Sequence, residues 1–159
     1  MTSRVHSLRD GTRAGALSAL ALAIFRSHGA LIEQGERLVE PLGLTSARWQ
    51  VLGALTLAGV PLTVPAIAAA MGLTRQGVQK QIDRLLADGH LTQLENPGHK
   101  RSPLFEPSRA GRVVFRRADQ RWARLSAQLA GAFSLAELET SRAVLDALAR
   151  VLAPPTAQE

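Results

Sequence analysis

Arg75, Gln76, Gln79 and Lys80, close together in the chain, have side chains that match the edges of DNA bases. Arginine and lysine suit the O6 and N7 acceptors of guanine, and glutamine suits the N6 donor and N7 acceptor of adenine. All four fall in the first turns of a helix that Thr74 would cap, and Arg84 follows on the same helix. Thr74 and the first free N–H groups of that helix suit a phosphate oxygen. A second basic set, His99, Lys100 and Arg101, sits in a loop of turn formers over 95–103. An arginine at a hairpin tip fits a narrow A·T-rich minor groove, which assigns groove insertion to Arg101 and phosphate contact to Lys100, with His99 left open. The competing reading is a solvated polar helix face followed by an ordinary charged turn.

The order of the surrounding elements favours DNA. Thr63 is placed to cap a short helix over 64–71, with Pro65 in its first turn. Gly72 ends it, Leu73 is expected to pack in the turn, and a helix over 75–88 follows with Val78, Ile82, Leu85 and Leu86 on its apolar face. Two helices joined by so tight a glycine turn cross steeply, which is helix-turn-helix geometry. The alanines around Ile67 let the pair approach closely. Gly77 costs roughly 1 kcal/mol inside a helix, which suggests close approach to a DNA backbone or a neighbouring helix. Gly89 stops the second helix, and 91–94 and 104–106 read as short strands flanking the basic loop. A basic hairpin directly after a helix-turn-helix is a wing.

Upstream, Thr45 caps a helix over 46–58 carrying Trp49, Leu52 and Leu55, which Gly59-Val60-Pro61 ends. Downstream, Ser108 caps a long helix from Arg109 toward Ala132. Arg112 and Arg116 on it are secondary phosphate candidates, whereas Arg117, Arg121 and Arg124 suit solvent or acids such as Asp119.

The two ends carry sevenfold apolar spacing. Leu17, Ile24, Leu31 and Leu38, interleaved with Ala21, His28, Gly35 and Leu42, predict a long helix over 14–42 that Pro41 and Gly43 end. Leu138, Leu145 and Leu152 predict a last helix over 135–152, closed by Pro154-Pro155. A lone chain would leave such stripes partly exposed, so Leu17, Ile24, Leu31, Leu138, Leu145 and Leu152 are expected to form a dimer interface. The predicted fold is mainly α with a small β-hairpin. A winged helix-turn-helix domain over 45–111 is flanked by an N-terminal dimerisation helix over 14–42 and C-terminal helices over 112–153. Arg4, Arg9 and Arg13 precede the apolar run 14–25 as in a signal peptide, but no A-x-A site follows. The run is about 12 residues, too short to span a bilayer, so a cytoplasmic chain without a membrane partner is expected.

Composition excludes several function classes. The 159 residues carry a net charge of +6, a balance that suits a polyanion. The segment 45–111 holds seven bases and four acids, and the flanks are also basic, so the surplus is not confined to the reading head. Of the 19 basic residues, 17 are Arg, a bias ascribed first to genome composition. With no Cys there is no disulfide, zinc ribbon, catalytic thiol or thiol-based redox sensor. Aromatics at 4% with no Tyr argue against a stacking platform for single strands. The four His lack ligand spacing, so no metal is expected. There is no Ser/His/Asp grammar and no Gly-rich phosphate loop, and neither Asp83 and Asp88 nor Glu137 and Glu139 face one point; an enzyme and a cofactor are not expected.

Over 14–152 the chain resembles the multiple-antibiotic-resistance regulator (MarR) family of winged-helix transcription factors. Leu44-Thr45-Ser46-Ala47-Arg48-Trp49-Gln50-Val51-Leu52 resembles the family's second helix. Thr63-Val64-Pro65-Ala66-Ile67-Ala68 resembles its third, and Leu73-Thr74-Arg75 through Asp83-Arg84-Leu85 its recognition helix. His99-Lys100-Arg101 through Ser108-Arg109-Ala110-Gly111 is similar to the wing signature, D-x-R followed by L-T-x-x-G. His99 stands where Asp is usual, Pro107 where Leu is usual and Ser108 where Thr is usual, and Gln81 takes a commonly apolar position.

The resemblance implies a homodimer joined by its end helices, reading a pseudo-palindrome with the 74–88 helix and the 91–106 wing. It also implies a small, often aromatic or phenolic effector, for which Phe25, His28, Trp49 and Trp122 are candidate pocket residues; simple packing is the competing role for each. A repressor whose DNA affinity a ligand lowers is the expected function. The alternative is a winged-helix protein–protein interaction module with only non-specific DNA affinity.

Overall fold

The computed structural model describes residues 11–152, in the order α1 (Arg13–Val39), α2 (Ser46–Ala58), α3 (Val64–Met71), α4 (Arg75–Ala87), β1 (Leu91–Leu94), β2 (Leu104–Pro107), α5 (Arg109–Ala130) and α6 (Leu135–Leu152). Arg4, Arg9, Pro154 and Pro155 lie outside the described residues. The chain forms two compact units, one up to Asp119 and one from Gln120 onward, so the division falls inside α5. The first unit therefore holds α1 together with the winged helix, whereas the sequence grammar divides the chain at 112.

The caps expected at Thr45, Thr63 and Thr74 are present, and Thr12 adds one for α1 that the sequence reading did not name. The hydroxyls of Thr12, Thr45, Thr63 and Thr74 each accept a hydrogen bond from a backbone N–H in the first turn of α1, α2, α3 and α4. Gly72 and Gly89 end α3 and α4 with φ of 64° and 72°, a left-handed conformation that glycine adopts without strain.

The core of the first unit gathers Val51, Leu52 and Leu55 of α2, Ile67 of α3, Val78, Ile82 and Leu85 of α4, and Phe105 of β2, all at 0–2% exposure. Each such side chain contributes about 1.5–3 kcal/mol by leaving water. Phe105 also pairs through its backbone with Leu62: the N–H of each donates to the carbonyl of the other, at 3.0 and 2.9 Å. This bridge ties the turn before α3 to the hairpin and gave no signal in the sequence, because a single residue pair has no periodicity.

Helix α1 covers only one end of its apolar stripe. Leu38 and Val39, at its C-terminal end, are buried in the first unit, and Gly35 lies against α2. A Cβ at Gly35 would stand 2.8 Å from Ser46 Oγ and 3.6 Å from the Trp49 ring. At the same crossing the Ser46 N–H donates to the Glu36 carboxylate at 2.6 Å. The remainder of the stripe is uncovered: Leu17 is 52% exposed and Leu31 57%, and His28 is exposed too rather than a core histidine. By length and composition the helical segment Arg13–Leu42 is sufficient to cross a membrane. The run 14–25 is only the first part of this helix, in keeping with the long helix expected over 14–42.

Smaller corrections concern α4, the hairpin and the helix that follows. Leu73 does not pack in the turn but is 47% exposed. No neighbouring helix approaches Gly77; a Cβ there would meet only Thr74 Oγ1, at 3.0 Å. Strand β2 runs one residue further than expected, with Leu91 opposite Pro107 and Leu94 opposite Leu104, and α5 ends at Ala130.

The junction between α4, the hairpin and α5 is tighter than the sequence suggests. The Ser108 N–H donates to His90 O at 3.0 Å, and the Ser108 hydroxyl donates to Gly89 O at 2.7 Å while accepting from the Gly111 N–H at 3.0 Å. A Cβ on Gly111 would lie 2.0 Å from His90 O, so only glycine fits.

In the second unit, Ser134 and Glu137 form a reciprocal capping box at the start of α6. The Ser134 N–H and hydroxyl both donate to Glu137 Oε2, at 2.8 and 2.7 Å, and the Glu137 N–H donates to Ser134 Oγ at 3.3 Å. These bonds hold the Glu137 carboxyl below its ordinary pKa. No residue of α6 is buried, and Leu138, Leu145 and Leu152 are 44%, 43% and 72% exposed.

Two outcomes follow from this packing. Gly111→Ala lowers stability by about 1–3 kcal/mol or more, since the clash is with backbone, read as a lower urea midpoint at unchanged slope. Because Glu137 titrates lower folded than unfolded, its contribution to α6 is complete above the unfolded pKa of about 4.3 and is lost as pH falls through the folded value. Circular dichroism of the wild type and Glu137→Gln checks this, the variant losing the acid-dependent step.

Candidate nucleic-acid interface

Helix α4 buries Val78, Ile82 and Leu85 and turns Thr74, Arg75, Gln76, Gln79, Lys80, Asp83 and Arg84 to the surface. All five DNA-facing candidates of 74–80 are thus exposed, as a 3.6-residue period with a buried 78, 82, 85 stripe requires. Together with the N-terminal end of α2, this face forms an open depression of about 680 Å³, lined by Thr45, Arg48, Gln76, Gln79, Lys80, Gln81, Asp83, Arg84 and Ala87.

Charge on this face is partly tied down. Arg48 Nη1 reaches Asp88 Oδ2 at 2.7 Å, and these side chains are only 14% and 26% exposed, so the pair pins the start of α2 to the end of α4. Arg84 Nε approaches the same carboxylate at 3.6 Å but is 68% exposed, a contact of little energy that leaves Arg84 able to turn toward a phosphate. The Gln79 amide donates to Asp83 Oδ1 at 2.7 Å. Among the described residues no ion pair holds Arg75, Lys80, Lys100 or Arg101. Neither the Arg48–Asp88 pin nor the Gln79–Asp83 bond was foreseen from the sequence. The second has a legible signal, a Gln and an Asp four apart on a helix; the first joins residues 40 apart and has none.

The tip of the wing keeps its shape without an Asp at position 99. Asn96 Oδ1 accepts from the Gly98 N–H at 3.2 Å and Asn96 Nδ2 donates to Ser102 O at 2.8 Å. The His99 N–H donates to Asn96 O and the Ser102 N–H to His99 O. Asn96 and Ser102 thus close the loop, and His99, Lys100 and Arg101 project from it, exposed. Of the secondary candidates, Arg112 is engaged by Pro107, to whose carbonyl its Nη1 donates at 2.5 Å, and Arg116 is exposed.

The candidate effector residues do not share one unit. Phe25 is 72% exposed and His28 exposed on α1, Trp49 is half-buried against Gly35, and Trp122 is half-buried in the second unit. A pocket of about 210 Å³ in the first unit lies elsewhere, lined by Leu55, Thr56, Gly59, Val60, Pro61, Glu106, Pro107 and Arg112. Among the described residues no three His, Asp or Glu side chains converge as a metal site would require.

The MarR family model matches residues 42–102, the stretch from the end of the first helical segment through the wing tip. An uncharacterised protein of Mycobacterium tuberculosis is 34% identical over 136 residues, covering 86% of this chain and 92% of its own length. The chain belongs to the MarR family. MarR proteins are transcriptional regulators, and a winged helix of this kind serves DNA-binding regulation. The transcriptional activatory protein BadR of Rhodopseudomonas palustris is 32% identical over 98 residues, 60% of this chain and 56% of BadR. The same fold recurs in CouR from Rhodococcus jostii, solved bound to p-coumaroyl-CoA, with 20% identity, TM-score 0.74 and coverage of 88% of this chain and 95% of that one. It recurs also in a mutant of MarR from E. coli complexed with operator DNA, with 22% identity, TM-score 0.66 and coverage of 84% and 96%.

Proposed function

We propose that the chain acts in the cytoplasm as a homodimeric, ligand-responsive repressor that reads a pseudo-palindromic operator with α4 and the wing. The observation that carries the reading is the exposed set Arg75, Gln76, Gln79 and Lys80 at the start of a helix whose opposite face is anchored in the core. This ridge offers groove-reading chemistry from a rigid support, with Thr74 and the free N–H groups of α4 for a phosphate and Arg84 beside them. Lys100 and Arg101 supply a phosphate contact and a minor-groove insertion from the wing. The complex of the E. coli MarR mutant with operator DNA supports the same use of this fold.

The uncovered leucines of α1 and α6 support self-association, because side chains of this size at 43–72% exposure cost free energy until a partner buries them. Two copies joined by Leu17, Ile24, Leu31, Leu138, Leu145 and Leu152 would present their reading helices one turn of DNA apart, about 10 bp. Burial in this interface also accounts for the apolar surface of α1 without a bilayer. An effector acts by preferring a dimer whose heads are off that spacing, which shifts the population away from the DNA-competent state. The p-coumaroyl-CoA bound to CouR supports an aromatic acid or its thioester as the ligand class. The name of BadR favours a second sign of regulation, activation, from the same DNA contact.

Footprinting on the chain's own upstream DNA tests the proposal: a protected inverted repeat is expected, and none at any promoter overturns it. Arg101→Ala weakens operator binding and flattens its salt dependence by about one phosphate-equivalent in a titration across salt concentrations. Leu31→Asp yields monomers by light scattering and loses tight operator binding. In a thermal-shift screen of aromatic acids and their CoA thioesters, a ligand that raises the midpoint also releases the operator in a gel shift.

A further inference from the structure

Two acids stand on the basic face of α4, and their surroundings differ. Asp88 holds Arg48 and Arg84 and so joins two helices. Asp83 is exposed and, among the described residues, has no ion pair and no hydrogen bond to a second element; its one partner is Gln79, four residues earlier on the same helix, at 2.7 Å. A carboxylate on a surface that must approach phosphates weakens the electrostatic attraction there, so its presence is unexplained by affinity.

The chemistry of the bond supplies a role. An ionised carboxylate only accepts hydrogen bonds, whereas the glutamine amide has a donor end and an acceptor end. Asp83 therefore decides which way the Gln79 amide is turned: the nitrogen faces the carboxylate, and the carbonyl oxygen with the second N–H is left for another partner. Adenine in the major groove offers the matching pair, an N6 donor and an N7 acceptor. With an amide free to rotate, the same side chain serves several bases comparably.

We propose that Asp83 is a positioning residue for sequence readout, fixing the Gln79 amide so that each half-site is read at one A·T pair. The inference rests on α4 being the groove-reading helix, and it names the base and the residue that selects it. Asp83 trades overall affinity for discrimination at a single position. The same hydrogen bond supports the helix as any i,i+4 pair does, but helix support predicts no change in base preference.

The test is selection from a randomised duplex library with the full-length chain and with Gln79→Ala, Asp83→Ala and Asp83→Asn, followed by titration of the selected duplex and its single-base-pair variants at fixed salt. The wild type is expected to select an inverted repeat with an A·T pair in each half. Gln79→Ala and Asp83→Ala lose preference at that same pair, by roughly 5- to 150-fold, the discrimination a bidentate contact supplies. Asp83→Asn, whose amide can donate as well as accept and so no longer dictates which end of Gln79 faces it, weakens the preference too, and both Asp83 variants bind random duplex more tightly because a negative charge is gone. The inference is overturned if Asp83→Ala keeps the wild-type preference, or loses preference equally at every position. A wild type that selects an inverted repeat which Gln79→Ala leaves unchanged overturns this inference alone. A wild type that selects no sequence overturns the DNA-reading function with it.

Discussion

At the start of α5 the chain passes so close to the end of α4 that position 111 has no room for a side chain. His90 O occupies the space a Cβ would need, and Ser108 joins the two segments with bonds to His90 and Gly89. Three elements meet in those few residues: the end of α4, the residue that leads into the hairpin and the cap of the helix that leaves it. The base of the hairpin is thereby fastened to the end of α4. This constraint also gives physical content to the wing signature that the chain resembles. The hydroxyl residue serves as cap and cross-link at once, and the glycine three positions later admits the carbonyl.

Acids organise the basic surface more than the net charge implies. Asp88 takes up Arg48, Glu36 accepts from the buried Ser46 N–H at the start of α2, and Asp83 takes up one end of the Gln79 amide. The groups without an ion pair among the described residues, Arg75 and Lys80 on the helix and Lys100 and Arg101 on the loop, are those whose chemistry suits a polyanion. A face with both kinds of group discriminates better than one of undiluted charge, because non-specific attraction rises with every additional cation while base reading does not.

Much of this was legible in the sequence because it rests on local rules. Thr45, Thr63 and Thr74 announced three helix starts, Gly72 and Gly89 two ends, and the 78, 82, 85 spacing the buried face of α4. What escaped was non-local or lacked a period: the Leu62–Phe105 bridge, the Arg48–Asp88 pin and the approach of His90 to Gly111. Leu73 misled because an apolar residue in a tight turn is expected inside, yet the turn here projects it into solvent. The long first helix was legible too, since its stop at Pro41 and Gly43 and its sevenfold spacing are both local signals. Exposed candidates were the most readable part of the site, since the face opposite a buried stripe is fixed once the stripe is known.

The seam between the two units passes through the middle of α5, a helix of 22 residues and so about 33 Å long. The backbone hydrogen bonds of α5 run across that seam without a break, so the boundary is one of side-chain packing and not of the main chain.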